Sequence, residues 1–193
     1  MEALPDSYYE ELGETQPRHI FDIIDDFRFF MVYRYLLPGS VLDVGAYFGD
    51  FLKIARNDGR EIYGTEINNK RVDLANNILG DNVVRLDFRN GSLNTFVDGS
   101  VDNVAYSEVI EHVPDDTKAV AELCRVSRKR VVITVPYQEK ISQVLCIHCI
   151  KYTSQSGHLH SYTKETFHDL IPGKWRIVVQ RPFWKKTLIH IVR

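Results

Sequence analysis

The chain has 193 residues, room for one domain, since domains run about 100–200 residues and a chain this long buries roughly 70% of its unfolded surface. With 44% hydrophobic and 26% charged residues it sits near the average of globular domains, which removes disordered, collagenous and coiled-coil architectures. The net charge of -2 conceals an acidic start, eight acids against two bases in residues 1–30, and a basic last third, fourteen bases against four acids in residues 118–193. A domain-wide basic footprint for nucleic acid is absent, although the C-terminal third could meet an anionic substrate.

The acidic opening is unlike a signal peptide, and no stretch approaches the roughly 20 apolar residues of a membrane span. A soluble, cytoplasmic protein without membrane association is expected. Cys124, Cys146 and Cys149 are too few, and odd in number, for a disulfide framework, so reduced thiols are expected.

In chain order, apolar residues recur at helical spacing from His19 to Leu37 and stop at Pro38-Gly39, which predicts an N-terminal helical cap over residues 1–37. Ser40–Gly45 reads as a strand entering a glycine turn, and Phe48–Asn57 as the helix after it. Glu61–Ile67 is a second strand, Lys70–Leu79 a helix ended by Gly80, and Asn82–Phe88 a third strand. Val101–Ser107, helix Thr117–Val126 and Arg130–Val135 continue the alternation up to Pro136. Residues 137–161 form one long irregular insertion, the kind of loop that is usually functional. A helix over Thr163–Ile171 precedes two β-rich runs, Lys174–Gln180 and Lys186–Val192, which read as an antiparallel hairpin. The pattern predicts one α/β domain over 1–193: Rossmann-like, doubly wound, with a mainly parallel seven-stranded sheet and a C-terminal antiparallel hairpin.

Val41–Asp50 places Gly45 and Gly49 between strand and helix, where backbone must approach a ligand closely. Glu66, about 20 residues past Gly45, ends the next strand, where a carboxylate can accept from both hydroxyls of a ribose. The loop carries Tyr47, Phe48, Asp43 and Asp50, and those acids would repel the pyrophosphate of a dinucleotide while suiting a cationic sulfonium and ammonium.

With Val41–Asp50, Glu66, the segment Val97–Asp115 and the terminal hairpin, the sequence resembles the class I S-adenosylmethionine-dependent methyltransferases of type 11 over nearly its whole length. Ser107-Glu-Val-Ile-Glu-His-Val-Pro-Asp115 is the most specific part of the likeness. The resemblance implies S-adenosylmethionine as cofactor, with Asp43 and the Gly45, Ala46, Tyr47 and Gly49 loop at the methionine part and Glu66 and Ile67 at the ribose. It implies Asp87 and Phe88 at the adenine, with Asn90-Gly91 as the alternative register, and Ser107 and Glu108 beside the sulfonium. Tyr47 departs from the family, which often has glycine there; either the loop takes another conformation or the ring lies over the cofactor.

Glu111 and His112 are the candidate catalytic pair, expected beyond the end of the fourth strand with Glu108. A Glu-x-x-Glu-His segment followed by a later histidine resembles the metal site of ubiquinone-biosynthesis O-methyltransferases and small-RNA 2′-O-methyltransferases. The matching positions are Glu108, Glu111, His112 and His158, which would hold magnesium or another hard ion and lower the pKa of a coordinated hydroxyl. Without metal, His112 would act as the base. A competing set, Cys146, Cys149, His158 and His160, would hold zinc and staple the long loop. The function expected is O-methylation of a small-molecule acceptor. RNA 2′-O-methylation, suggested by Arg125-Val-Ser-Arg-Lys-Arg130, is one alternative; a non-catalytic nucleoside- or partner-binding module, suggested by Tyr47, is the other.

Overall fold

The structure is a computed structural model that describes residues 23–145, 152–154, 156–183 and 187–193. It runs through helix α1 (Ile23–Arg34), strand β1 (Val41–Val44), helix α2 (Asp50–Asn57), strand β2 (Ile62–Glu66), helix α3 (Asn69–Leu79) and strand β3 (Val83–Arg85). Strand β4 (Val101–Ser107), helix α4 (Asp116–Val126), strands β5 (Ser127–Pro136), β6 (Gln143–Leu145) and β7 (Tyr152–Ser154), helix α5 (Lys164–His168) and strands β8 (Ile177–Phe183) and β9 (Thr187–Val192) follow.

Seven strands form one sheet in the order β3-β2-β1-β4-β5-β9-β8. The first five are parallel, and β9 runs antiparallel to both β5 and β8. This is the doubly wound sheet with a terminal hairpin expected from the alternating pattern. Strand β8 absorbs Pro182, tolerable because it is the edge of the sheet, where a missing N–H is not needed. Strand order reverses between β1 and β4, so a crevice opens beyond the carboxyl ends of those strands.

The two faces carry separate cores. Leu42, Val44, Val104, Tyr106 and Ile133 pack with Ala119, Val120 and Leu123 of α4 and Phe167 of α5. On the other face Val41, Ala105 and Val132 meet Val32 of α1, Phe51 and Leu52 of α2, and Ala75 of α3. Central strands buried on both sides therefore read as unbroken apolar runs. Cys124 lies in the first core, where burial pushes its thiol up to about 12, so it stays protonated and inert.

Several boundaries differ from expectation. The third strand ends at Arg85 rather than Phe88, because the Asp87 side chain accepts from Arg89 N and starts a 3-10 turn at Phe88–Asn90. The fifth strand starts at Ser127, directly after α4. Helix α5 ends at His168, opened by a capping box between Thr163 and Thr166. Residues 137–161 are not wholly irregular, since β6 and β7 pair as a small antiparallel hairpin.

The turn after α1 is clamped to the sheet. Asn103, fully buried on β4, accepts from Leu37 N at 2.8 Å and donates to Leu37 O and Ser40 O at 2.9 and 3.0 Å. Arg60, Lys129 and Arg130 donate to the carbonyls of Leu37, Pro38 and Tyr35, placing cations where the helix dipole is negative. Asn103→Ala removes three hydrogen bonds and takes from Leu37 N its partner, while Leu37 O keeps Arg60 and Ser40 O keeps Asn103 N; it is expected to cost about 2 kcal/mol, read as a lower urea midpoint with an unchanged slope.

Candidate active site

Where β1 ends, Gly45 N and Ala46 N both donate to Thr65 O, at 2.9 and 2.8 Å, folding the loop back over β2. Gly45 has φ 84 and a Cβ there would stand 2.7 Å from Val109 Cγ2; Gly49 has φ 79 and its Cβ would stand 2.6 Å from Leu79 Cδ1. Both positions need glycine for conformation and for space. Tyr47 also takes a left-handed conformation, φ 53, uncommon for a bulky residue. The family departure thus keeps a backbone that glycine would adopt. The Tyr47 ring is partly exposed beneath the Arg71 guanidinium, 4.3 Å from its centroid.

Glu66 ends β2 almost wholly buried. Its Oε2 accepts from Tyr47 N and its Oε1 from Asn68 N, each at 3.0 Å, with Arg71 Nη1 3.8 Å from Oε1. Burial pushes its pKa up, and the Asn68 amide, Arg71 and the Tyr47 amide pull it back. A carboxylate has about four lone-pair sites, so these bonds leave room for ribose hydroxyls. Asp43, also buried, is pushed up to about 7 by burial and by the Glu66 charge, against the pull of Arg28 on α1.

Ile67 is half-buried and accepts from Arg85 Nε through its carbonyl. Asp87 is tied to Arg89 by a 2.6 Å ion pair, which holds its carboxyl below the usual range. The Phe88 ring turns into the core and packs edge-on against Tyr106 at 5.4 Å. Asn90 caps the following turn by accepting from Ser92 N.

Beyond β4 the chemistry-bearing side chains gather. Thr134 Oγ1 lies 2.8 Å from Ser107 Oγ and donates to Glu108 Oε1 at 2.8 Å, fixing Glu108, itself at φ 55. Glu111 and His112 follow on a 3-10 turn, Ile110–His112, over which residues 157–160 lie. Leu159 N donates to Glu111 O, His112 Nδ1 donates to Gly157 O at 3.3 Å, and the His112 and His158 rings meet at 4.7 Å. Glu111, His112 and His158 each offer a ligand atom within 4.8 Å of one another. Glu111 is 1% exposed, and among the described residues neither carboxylate oxygen has a hydrogen-bond partner. Burial, reinforced by Glu108 and Glu139, pushes it well above the usual carboxylate range. Burial and His158 lower His112 to about 4, keeping it neutral.

Three of the four residues of the expected Glu-Glu-His-His set therefore converge, with Glu108 beside them. Of the zinc alternative, Cys146 and Cys149 lie outside the described residues, while His160 donates from Nε2 to Val113 O at 2.9 Å and faces Asp116 through Nδ1. Sequence reasoning missed Arg28, Arg71 and Glu139. Arg71 had a faint signal, since Asn68 caps α3 after Glu66 and puts Arg71 one turn on; Arg28 and Glu139 had none.

This loop, strand-end acid and polar cluster lie together at the carboxyl ends of the strands, where open doubly wound sheets bind their ligands. Residues 42–135 match the family described as methyltransferase domain. No curated protein sequence matches the chain. Among solved structures, a protein from Pyrococcus horikoshii superposes with TM-score 0.73 at 16% identity, over 95% of this chain and 98% of that one. A SAM-dependent methyltransferase from Aquifex aeolicus gives 0.61 at 18%, over 98% of each chain. The cyclase SpnF gives 0.72 at 14%, over 93% and 84%. Residues 42–135 thus resemble a methyltransferase domain, and the fold is shared with an S-adenosylmethionine-dependent methyltransferase. The residues fit that cofactor, because a buried Asp43 beside Glu66 gains from a cation brought next to it.

Two outcomes are expected. Glu66→Ala weakens S-adenosylmethionine binding by about 1.5–3 kcal/mol, and unchanged affinity in calorimetry would remove Glu66 from the ribose. Asp43 binds its proton more tightly folded than unfolded, so its contribution to the ligand-free protein's stability falls as pH rises from the ordinary 3.8 to about 7. A cationic ligand favours the charged form, so affinity rises with pH through that range and binding at about pH 6 releases protons. Calorimetry in two buffers of different ionisation enthalpy measures the release, which Asp43→Asn should remove.

Proposed function

We propose that the protein methylates an oxygen of a small molecule, with Glu111, His112 and His158 handling the acceptor's proton. The observation that carries this reading is the buried, unpartnered Glu111 carboxylate facing two imidazoles at the end of β4. S-adenosylmethionine supplies an activated methyl group on a positively charged sulfur. Asp43, the Gly45–Gly49 loop, Glu66 and Ile67, Asp87 and the backbone at Phe88 are assigned to hold it, and Ser107 and Glu108 border the reacting end. The protein's task is then to align acceptor and donor and to take the acceptor's proton.

A divalent ion is part of the reading. Leaving a carboxylate buried without a hydrogen bond costs several kcal/mol unless a proton or cation neutralises it. Glu111, His112 and His158 would hold the ion, which would lower the pKa of a bound hydroxyl. Two imidazoles to one carboxylate favour a manganese- or zinc-like ion over magnesium, whose preferred ligands are oxygens. The cluster sits beyond a sheet whose other end carries Arg128, Lys129 and Arg130. Those bases bond Asp102, Pro38 O and Tyr35 O, so the run that suggested RNA is engaged within the fold.

The test is methyl transfer to a panel of phenols, catechols and hydroxy acids beside amine, thiol and RNA controls, before and after chelation. Oxygen acceptors should be methylated, chelation should remove activity without unfolding, and manganese should restore it. Glu111→Gln should lower turnover by about 10²–10⁴-fold, the worth of a positioned acid–base group, with little change in cofactor affinity. Transfer confined to nitrogen, sulfur or RNA, or full activity in Glu111→Gln, would overturn the proposal.

A further inference from the structure

Glu139 belongs to no motif, yet the chain is arranged around it. It follows β5 by three residues, and Gln138, just before it, is held at φ 52, an uncommon conformation for a non-glycine residue. Gln138 N donates to Tyr162 O at 2.9 Å, Tyr137 bridges to Tyr162, and Ser161 Oγ donates to Glu139 O at 2.7 Å. These bonds tie 137–139 to 161–162 and bring Glu139 Oε2 to 2.5 Å from His158 Nδ1.

An ionised carboxylate only accepts hydrogen bonds, so Nδ1 of His158 must carry the proton in this contact. In the neutral ring the other nitrogen, Nε2, then keeps its lone pair. It faces Glu111 Oε1 at 3.9 Å, on the side where the His112 ring stands edge-on. His158 is 15% exposed and Glu139 31%, so the pair is shielded from water more than an ordinary surface ion pair.

We propose that Glu139 is a positioning residue that holds His158 in the Nδ1–H tautomer and so directs its Nε2 lone pair at the point where Glu111 and His112 converge. The proposal rests on the reading of that cluster as the proton-handling site. Its consequence is the same in two chemistries. If an ion is bound, the carboxylate–histidine pair orients a ligand and raises its basicity. If none is bound, the same lone pair is the one free to take a proton from an acceptor.

The direct measurement is nitrogen NMR of the His158 ring in the metal-free protein, assigned by loss of its signals in His158→Gln. Wild type should show protonated Nδ1 and unprotonated Nε2. Glu139→Gln, whose amide oxygen can still accept, should keep that tautomer, and Glu139→Ala should lose the preference. Titration with Co²⁺, followed by visible absorption, should show affinity about 10–100-fold weaker in Glu139→Ala, the usual effect of removing an outer partner of a metal-bound histidine. A wild-type ring protonated on Nε2, or a tautomer indifferent to Glu139→Ala, overturns the proposal. If Glu139→Ala does not fold, the wild-type and Glu139→Gln spectra decide it alone. If the tautomer follows Glu139 but wild type takes up no Co²⁺, the metal reading fails while Glu139 keeps its role.

Discussion

Three carboxylates, Asp43 near the end of β1, Glu66 at the end of β2 and Glu111 just beyond β4, lie buried on strands that are side by side in the sheet order. Taking one charged carboxylate out of water costs several kcal/mol even after relaxation, and grouping three raises the cost further. The surroundings answer it unequally. Glu66 receives two backbone amides and a nearby arginine. Asp43 has the distant pull of Arg28, and burial leaves it half-protonated near neutral pH. Glu111 has, among the described residues, no hydrogen-bond partner on either oxygen. The rim is therefore short of positive charge in the direction of the crevice, and the ligand it accepts best is cationic.

That shortage is tolerable because the sheet beneath is rigid. The reversal between β1 and β4 sets the ends of β2, β1 and β4 next to one another, while cores on both faces hold the strands in register. The turn after α1 adds a constraint from the opposite end. Asn103 and three cations hold residues 35–40, so α1 leaves the sheet in a fixed direction and carries Arg28 within electrostatic reach of both Asp43 and Glu111.

What could be read from the sequence was whatever a local pattern encodes. The strands announce themselves as apolar runs, and Gly45 and Gly49 stand where strand gives way to helix. Glu66 is found by counting from the loop. The end of the third strand was misplaced because Asn82–Phe88 alternates well enough to pass for a strand, and only the tertiary contact with Tyr106 shows why the Phe88 ring turns inward. The β6–β7 hairpin was missed since Gln143–Leu145 and Tyr152–Ser154 are short and lie apart from the main sheet. Tyr47 was legible as a departure but not in its outcome, for sequence gives no sign that Arg71 would cover the ring.

Glu139 shows the limit most clearly. It meets His158 across 19 residues, through a chain path fixed by Gln138, Tyr137 and Tyr162 rather than by any repeat or spacing. In the proposed reading the cofactor end of the crevice is encoded by contiguous segments, Val41–Asp50 and Glu61–Ile67, while the reacting end is assembled from Glu108–His112, Glu139 and residues 157–160. These halves answer to different pressures. Substitutions in the second set can alter the acceptor or the chemistry and leave the first untouched, since function lies in sites carried by a fold rather than in the fold itself. In the reading proposed here, cofactor identity follows from the loop and Glu66, and the choice of acceptor follows from what the orphaned Glu111 carboxylate and its two histidines can neutralise.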